Sequence, residues 1–222
     1  MNTKEEIFIF FGLVLVGIII YFIFRASKEA EFNNRKFFIE NYQFPEKIFQ
    51  QVQEKYPHLT DEHIHQVKKA LCQYLIICAK ARKKVVSMPS QVVDLAWHEF
   101  ILFTKRYQEF CEKAFGYFLH HTPAEAMESP THAQEGIKRA WCFSCELEEI
   151  LPDRPRRLPL LFAIDTALTI PDGFSYQLDC TQNPKSGFCA THIGCGGGGS
   201  CSGGGDGGDG GSSSGGCGGG GD

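Results

Sequence analysis

The sequence predicts a mainly α-helical protein with three unlike parts: one N-terminal transmembrane helix, a soluble helical domain, and a disordered Gly/Cys-rich tail. Three observations carry this. Ile7 to Phe24 is an uncharged run; apolar residues between 45 and 151 recur three and four apart; and 18 of the 24 glycines crowd into 194–222. The expected organisation is an extension over 1–6, a membrane helix over 7–24, a juxtamembrane linker over 25–44, a helical domain over 45–193 and a low-complexity tail over 194–222. The 222 residues carry a formal net charge of -4. That balance excludes a polyanion-binding protein of the ordinary basic kind, so no nucleic-acid partner is expected.

Eighteen helical residues span about 27 Å, close to the thickness of a hydrocarbon core. A cleaved signal peptide fits less well, because Lys4 is followed by Glu5 and Glu6 and Phe22-Ile23-Phe24-Arg25 lacks small residues before a cut. The lipid bilayer is therefore the expected partner of residues 7–24. Arg25, Lys28, Arg35 and Lys36 follow the run while Lys4 alone precedes it, so the positive-inside rule predicts a membrane protein with its C-terminal domain in the cytoplasm. In that reducing compartment the ten cysteines are expected as free thiols or metal ligands rather than disulfides.

Beyond the membrane, Pro45-Glu46 opens a short helix over 47–56 that Pro57 closes. Thr60 is positioned as N-cap of a helix over 61–82, with Ile64, Val67, Leu71, Tyr74, Leu75 and Cys78 on one face. Lys80, Arg82, Lys83 and Lys84 load its C-terminal end, as the helix dipole favours; a phosphate or lipid-headgroup role is the rival reading. Ser87-Met88-Pro89-Ser90 breaks the chain, and a single helix is expected over 91–115, stopped by Gly116. On it Val93, Phe100, Phe103, Tyr107, Phe110, Cys111 and Ala114 form the core stripe, with Trp97 at the edge. His98 falls opposite, with Asp94 one turn back and Leu95, Ile101 and Leu102 around it, so something should pack there. Asp94, Trp97 and His98 are accordingly the candidate partner groove. Thr131 opens a further helix to about Leu151, carrying Cys142-Phe143-Ser144-Cys145. Leu160 to Leu168 reads as a short last helix or as part of a strand layer with 174–178.

Val93-Asp94-Leu95-Ala96-Trp97-His98, Tyr107, Phe110-Cys111 and Phe118-Leu119-His120-His121-Thr122-Pro123 resemble the glycine-rich domain-containing proteins of bacteria and plants. Leu158 to Asp165, Ile170-Pro171-Asp172-Gly173 and the Gly/Cys tail resemble that group's membrane-anchored bacterial members. The resemblance covers residues 45–222 and implies no reaction, substrate or catalytic residue.

Two sets of soft ligands stand out. If 61–82 and 91–115 pack antiparallel, Cys78 neighbours His98, and Cys111 with His120 or His121 and His63 or His65 forms a zinc-type set. His120 and His121 should reach Cys111 but hardly His98, since thirteen helical residues are about 20 Å. In the tail, Cys180 with Cys189-x-x-His192-x-x-Cys195 offers zinc or copper ligands. Against both stands the plain reading of buried cysteines and backbone-bonded histidines. The leading functional reading is a non-enzymatic, membrane-tethered helical module that binds a protein partner; the alternative is a metal-binding protein, with zinc as the cofactor.

Overall fold

The computed structural model describes residues 3–121, 130–178, 188–189 and 193. Among them are seven helices: α1 (Thr3–Glu40), α2 (Glu46–Lys55), α3 (Asp61–Ala81), α4 (Gln91–Leu102), α5 (Thr104–Ala114), α6 (Pro130–Leu147) and α7 (Leu160–Ala167). A two-residue parallel pairing of Tyr176–Gln177 (β1) with Phe188–Cys189 (β2) completes the fold. The protein is thus mainly α, and the segment left open between helix and strand, 160–168, is helical.

One helix, α1, is long and apolar enough to cross a membrane. Its large apolar side chains from Phe10 to Phe24 stand 43 to 67% exposed, so no part of the described domain covers them. The helix does not stop at the end of this run. It continues through the stretch expected as a linker to Glu40, and its last turns join the core: Ile39 is buried and Phe38 stacks on Phe110. The domain is therefore carried on a continuous helix rather than a flexible tether.

The centre of the core is α3. Thr60 caps it through a reciprocal box in which the His63 N–H donates to the Thr60 hydroxyl and the Thr60 N–H donates to His63 Nδ1. From Val67 onward almost every apolar residue of α3 is buried, because α1, α4, α6 and α7 all pack around it.

The expected single helix over 91–115 is two helices. Phe103 has φ -79 and ψ 55, an inverse γ-turn geometry that helices cannot continue. No Gly or Pro marks this break. It lets Phe100 and Phe110 pack edge to face at 5.2 Å while both meet Tyr42 and Phe44, so tertiary packing of aromatics overrides local helix continuity.

The N-terminus of α4 is held from elsewhere in the chain. Asp165 of α7, 2% exposed, accepts from Ser90 Oγ (2.7 Å), Gln91 N (2.7 Å), Val92 N (3.3 Å) and Phe174 N (2.9 Å). Gly173 makes this possible: a Cβ there would stand 2.7 Å from Asp165 Cβ.

Among the described residues the cysteine expectation fails at Cys142. Cys72, Cys78, Cys111 and Cys145 are free, but Cys142 is disulfide-bonded. Since Cys145 is free, the two cysteines of the CxxC are not joined to each other. The side chain of Thr131, Cys180, His192, Cys195 and the tail from 194 lie outside the described residues or side chains, as does the side chain of Cys189.

Candidate functional site

Among the described residues, one group of three metal-capable side chains comes together: Asp94, His98 and His121, with ligand atoms within 4.8 Å of one another. Asp94 and His98 lie one turn apart on α4, the spacing that sets two side chains over each other on a helix face. His121 arrives from outside the helix. Gly116, at φ +76, ends α5 and the chain turns back in an extended path. Beyond the bends at 116 and 117 the return sets Leu119 beside Tyr107 and His121 beside His98, and an extended residue covers about 3.3 Å against 1.5 Å per helical residue. That is why His121 reaches His98, contrary to the expectation from helix length.

The return path is pinned. Trp97 Nε1 donates to Tyr107 Oη (3.1 Å), and Tyr107 Oη donates to the Leu119 carbonyl (2.6 Å). The Trp97 ring, 4% exposed, stacks against His121 with centroids 4.8 Å apart. Trp97, first placed in the groove, therefore supports His121 from the core side. By spacing Tyr107 is an ordinary stripe residue; only its hydroxyl, on an otherwise apolar face, signals the role.

Within the site, His121 Nε2 lies 3.1 Å from Asp94 Oδ1. His98 Nε2 lies 3.0 and 3.3 Å from the two nitrogens of His121, and the rings stand at 89° with centroids 4.1 Å apart. A nitrogen nearly equidistant from both nitrogens of a perpendicular ring points at that ring's face. Neither contact is then a lone-pair-directed hydrogen bond. His98 is left with an uncommitted nitrogen on a half-exposed side chain, 52% by area, next to a His-carboxylate pair.

In a tetrahedral shell with bonds of 2.0 to 2.1 Å, neighbouring ligand atoms are about 3.3 Å apart. The His121–Asp94 separation already matches. His98 Nε2 lies 4.0 Å from Asp94 Oδ2, wider than that spacing, on a half-exposed side chain. Three protein ligands leave a further position for water or an outside ligand.

The other candidate residues lie elsewhere. Cys111 is buried in the core, where burial raises its thiol pKa against a smaller lowering by the Leu119 backbone. His63 caps α3, His65 is exposed, and His120 is exposed with its ring on Phe118. None of these joins Cys111 in a cluster among the described residues. Cys78, buried on α3, is not grouped with His98 either.

A family model described as UCP032817-like matches residues 34–197, well over half of the chain. The chain belongs to the UCP032817-like family. This uncharacterised family replaces the resemblance to the glycine-rich domain-containing proteins, which nothing in the comparisons supports. The matched span takes in the end of α1 and every side chain of the Asp94–His98–His121 cluster, and it stops short of most of the Gly-rich tail. No curated protein and no solved structure matches the chain.

Proposed function

We propose that this chain is a single-pass membrane protein whose helical domain binds a divalent transition metal, zinc by ligand type, through Asp94, His98 and His121. The observation that carries the reading is the convergence of two imidazoles and a carboxylate within 4.8 Å. Nitrogen and oxygen ligands of this kind suit zinc and its first-row neighbours, and three of them form an open rather than a closed shell. The support behind the site favours the same reading, because Tyr107 and Trp97 fix His121 in place whether or not an ion is bound.

The test is metal titration of the full chain in detergent, read by cobalt(II) absorption and by zinc competition. One equivalent should bind, and His98→Ala and His121→Ala should each abolish it. Binding should also alter the fluorescence of Trp97, which lies against His121. Failure to bind one equivalent at micromolar metal, or binding that survives both substitutions, overturns the proposal.

A second reading keeps the protein partner. Leu102, one turn beyond His98, is 71% exposed, and Leu95 and Ile101 are half-buried beside it, an apolar border that suits a protein surface. The orientation proposed for the domain is cytoplasmic, supported by the basic residues that follow the apolar run.

A further inference from the structure

The basic cluster at the end of α3 can be placed relative to the membrane by helix register. α1 and α3 run antiparallel: Cys72 Sγ donates to the Ile39 carbonyl at 3.9 Å, and Lys80 Nζ sits 5.7 Å from the Phe32 ring. Eight residues of α3 thus cover seven of α1. α3 ends at Ala81, level by the same step with about residue 31 of α1, and the chain doubles back through the Arg82–Val85 turn, since the Val86 carbonyl already accepts from the Tyr74 hydroxyl. The leading edge of the turn, Arg82, lies level with about residue 30, some six residues beyond Phe24. At 1.5 Å per residue that is about 9 Å past the apolar run, a distance that extended Arg and Lys side chains close to the headgroup layer outside a hydrocarbon core about 30 Å thick.

Other contacts agree on which end of the domain this is. Gly116 packs by Arg35, the Tyr117 hydroxyl bonds to the Arg82 carbonyl, and Arg139 bonds to the Val85 carbonyl. The α5 end and α6 therefore gather around the same turn.

Arg82, Lys83, Lys84 and Val85 are all exposed. No ion pair neutralises the three cations among the described residues. Arg25 and Lys28 lie on α1 between that level and the apolar run. Of the nearby acids, Glu31 is paired with Arg35 and Glu146 with Lys80, which leaves Glu29 on α1 and Glu135 on α6, next to Gly136, which packs on Ser87. Arg82 also has φ 57, a backbone region that favours glycine and costs another residue on the order of 1 kcal/mol or more. A simple turn would place glycine there; an arginine adds charge at the most membrane-proximal point of α3.

We propose that the Arg82–Val85 turn is a phospholipid-contact surface, in which three cations bind anionic headgroups of the bilayer that holds α1. The inference rests on α1 being the membrane span, and does not depend on the metal site. The dipole of α3 explains one cation near its C-terminus; it does not explain three unpaired ones within reach of the headgroups.

The test uses the full chain in nanodiscs of phosphatidylcholine alone or with 30% phosphatidylserine, read by amide hydrogen exchange of residues 82–87. Phosphatidylserine should slow exchange in this segment. Arg82→Gln with Lys83→Gln and Lys84→Gln should erase the difference, at about fivefold in lipid affinity per charge and on the order of a hundredfold for three. Arg154→Gln with Arg156→Gln, on an exposed loop elsewhere, should leave it intact, and so should millimolar inorganic phosphate. Equal exchange in the two discs, an equal loss in the control variant, or displacement by free phosphate overturns the headgroup contact. A chain that elutes apart from the discs overturns the span first, and this inference with it.

Discussion

Replacing Asp165 by alanine removes the acceptor that holds the start of α4. The carboxylate takes four donors, and two of those bonds, from Ser90 Oγ and Gln91 N, are 2.7 Å long. Its two oxygens do for α4 from a distance what an N-cap side chain does locally, alongside Ser90, whose hydroxyl accepts from Val93 N. In Asp165→Ala, Val92 N and Ser90 Oγ stay buried without their acceptor, while Gln91 N and Phe174 N are partly buried and regain some water. At 1 to 3 kcal/mol for a stranded buried donor and less for a wetted one, the loss should be about 3 to 5 kcal/mol. That is a large share of a typical 5 to 15 kcal/mol total. The assay is urea unfolding of the detergent-solubilised chain followed by tryptophan fluorescence, since Trp97 and Trp141 are both buried. Hydrogen exchange should localise the damage to amides 91–93 and 174. Because Asp94 and His98 ride on α4, the metal binding proposed for that site should weaken too. A loss under 1 kcal/mol, with amides 91–93 still protected, would refute the idea that α4 is capped from α7.

Two further outcomes follow from the same structure. Burial pushes the Cys78 thiol from an ordinary 9 up to about 12 and Cys72 up to about 11; above pH 9 the unfolded chain releases these protons while the native state still holds them, so stability should fall as pH rises from about 9 towards 12, and a urea midpoint unchanged between pH 7 and 10.5 would contradict it. A reporter fused after Asp222 should be active in the cytoplasm, because Arg25, Lys28, Arg35 and Lys36 outweigh Lys4; the disulfide at Cys142 pulls the other way, since such bonds are rare in the cytosol, and activity only outside the cytoplasm would reverse the orientation.

Much of the fold was legible because local rules and packing agree there. The apolar run, the Thr60 cap and the spacing along 61–82 each depend on neighbours within a turn or two, and α3 forms nearly where they place it. The end of α1 was less legible. Residues 25–40 are charged and polar on average, yet Phe32 and Ile39, two turns apart, and Phe38 beside them pack on the domain, so a helix persists where composition reads as a linker.

The site was half legible, and the missing half traces to two backbone features, at Phe103 and after Gly116. Asp94 and His98 were visible as a pair because their spacing is helical. His121 was assigned to Cys111 because a straight helix over 91–115 carries Cys111 about 20 Å from His98 and leaves the next segment at the far end. The break at Phe103 and the reversal after Gly116 change both premises. Phe103 carries no punctuation in sequence; its conformation is imposed by Phe100, Phe110, Tyr42 and Phe44 packing together, contacts that span some 70 residues of chain. Once α5 sets off on its own and the segment beyond it runs extended, the Tyr107 hydroxyl is the group that fixes how far back the chain returns, by holding the Leu119 carbonyl two residues before His121. The meeting of His121 with His98 is thus a consequence of core packing, not of any motif spacing, and a sequence with the same histidines but a continuous helix through 103 would keep the ligands and lose the site.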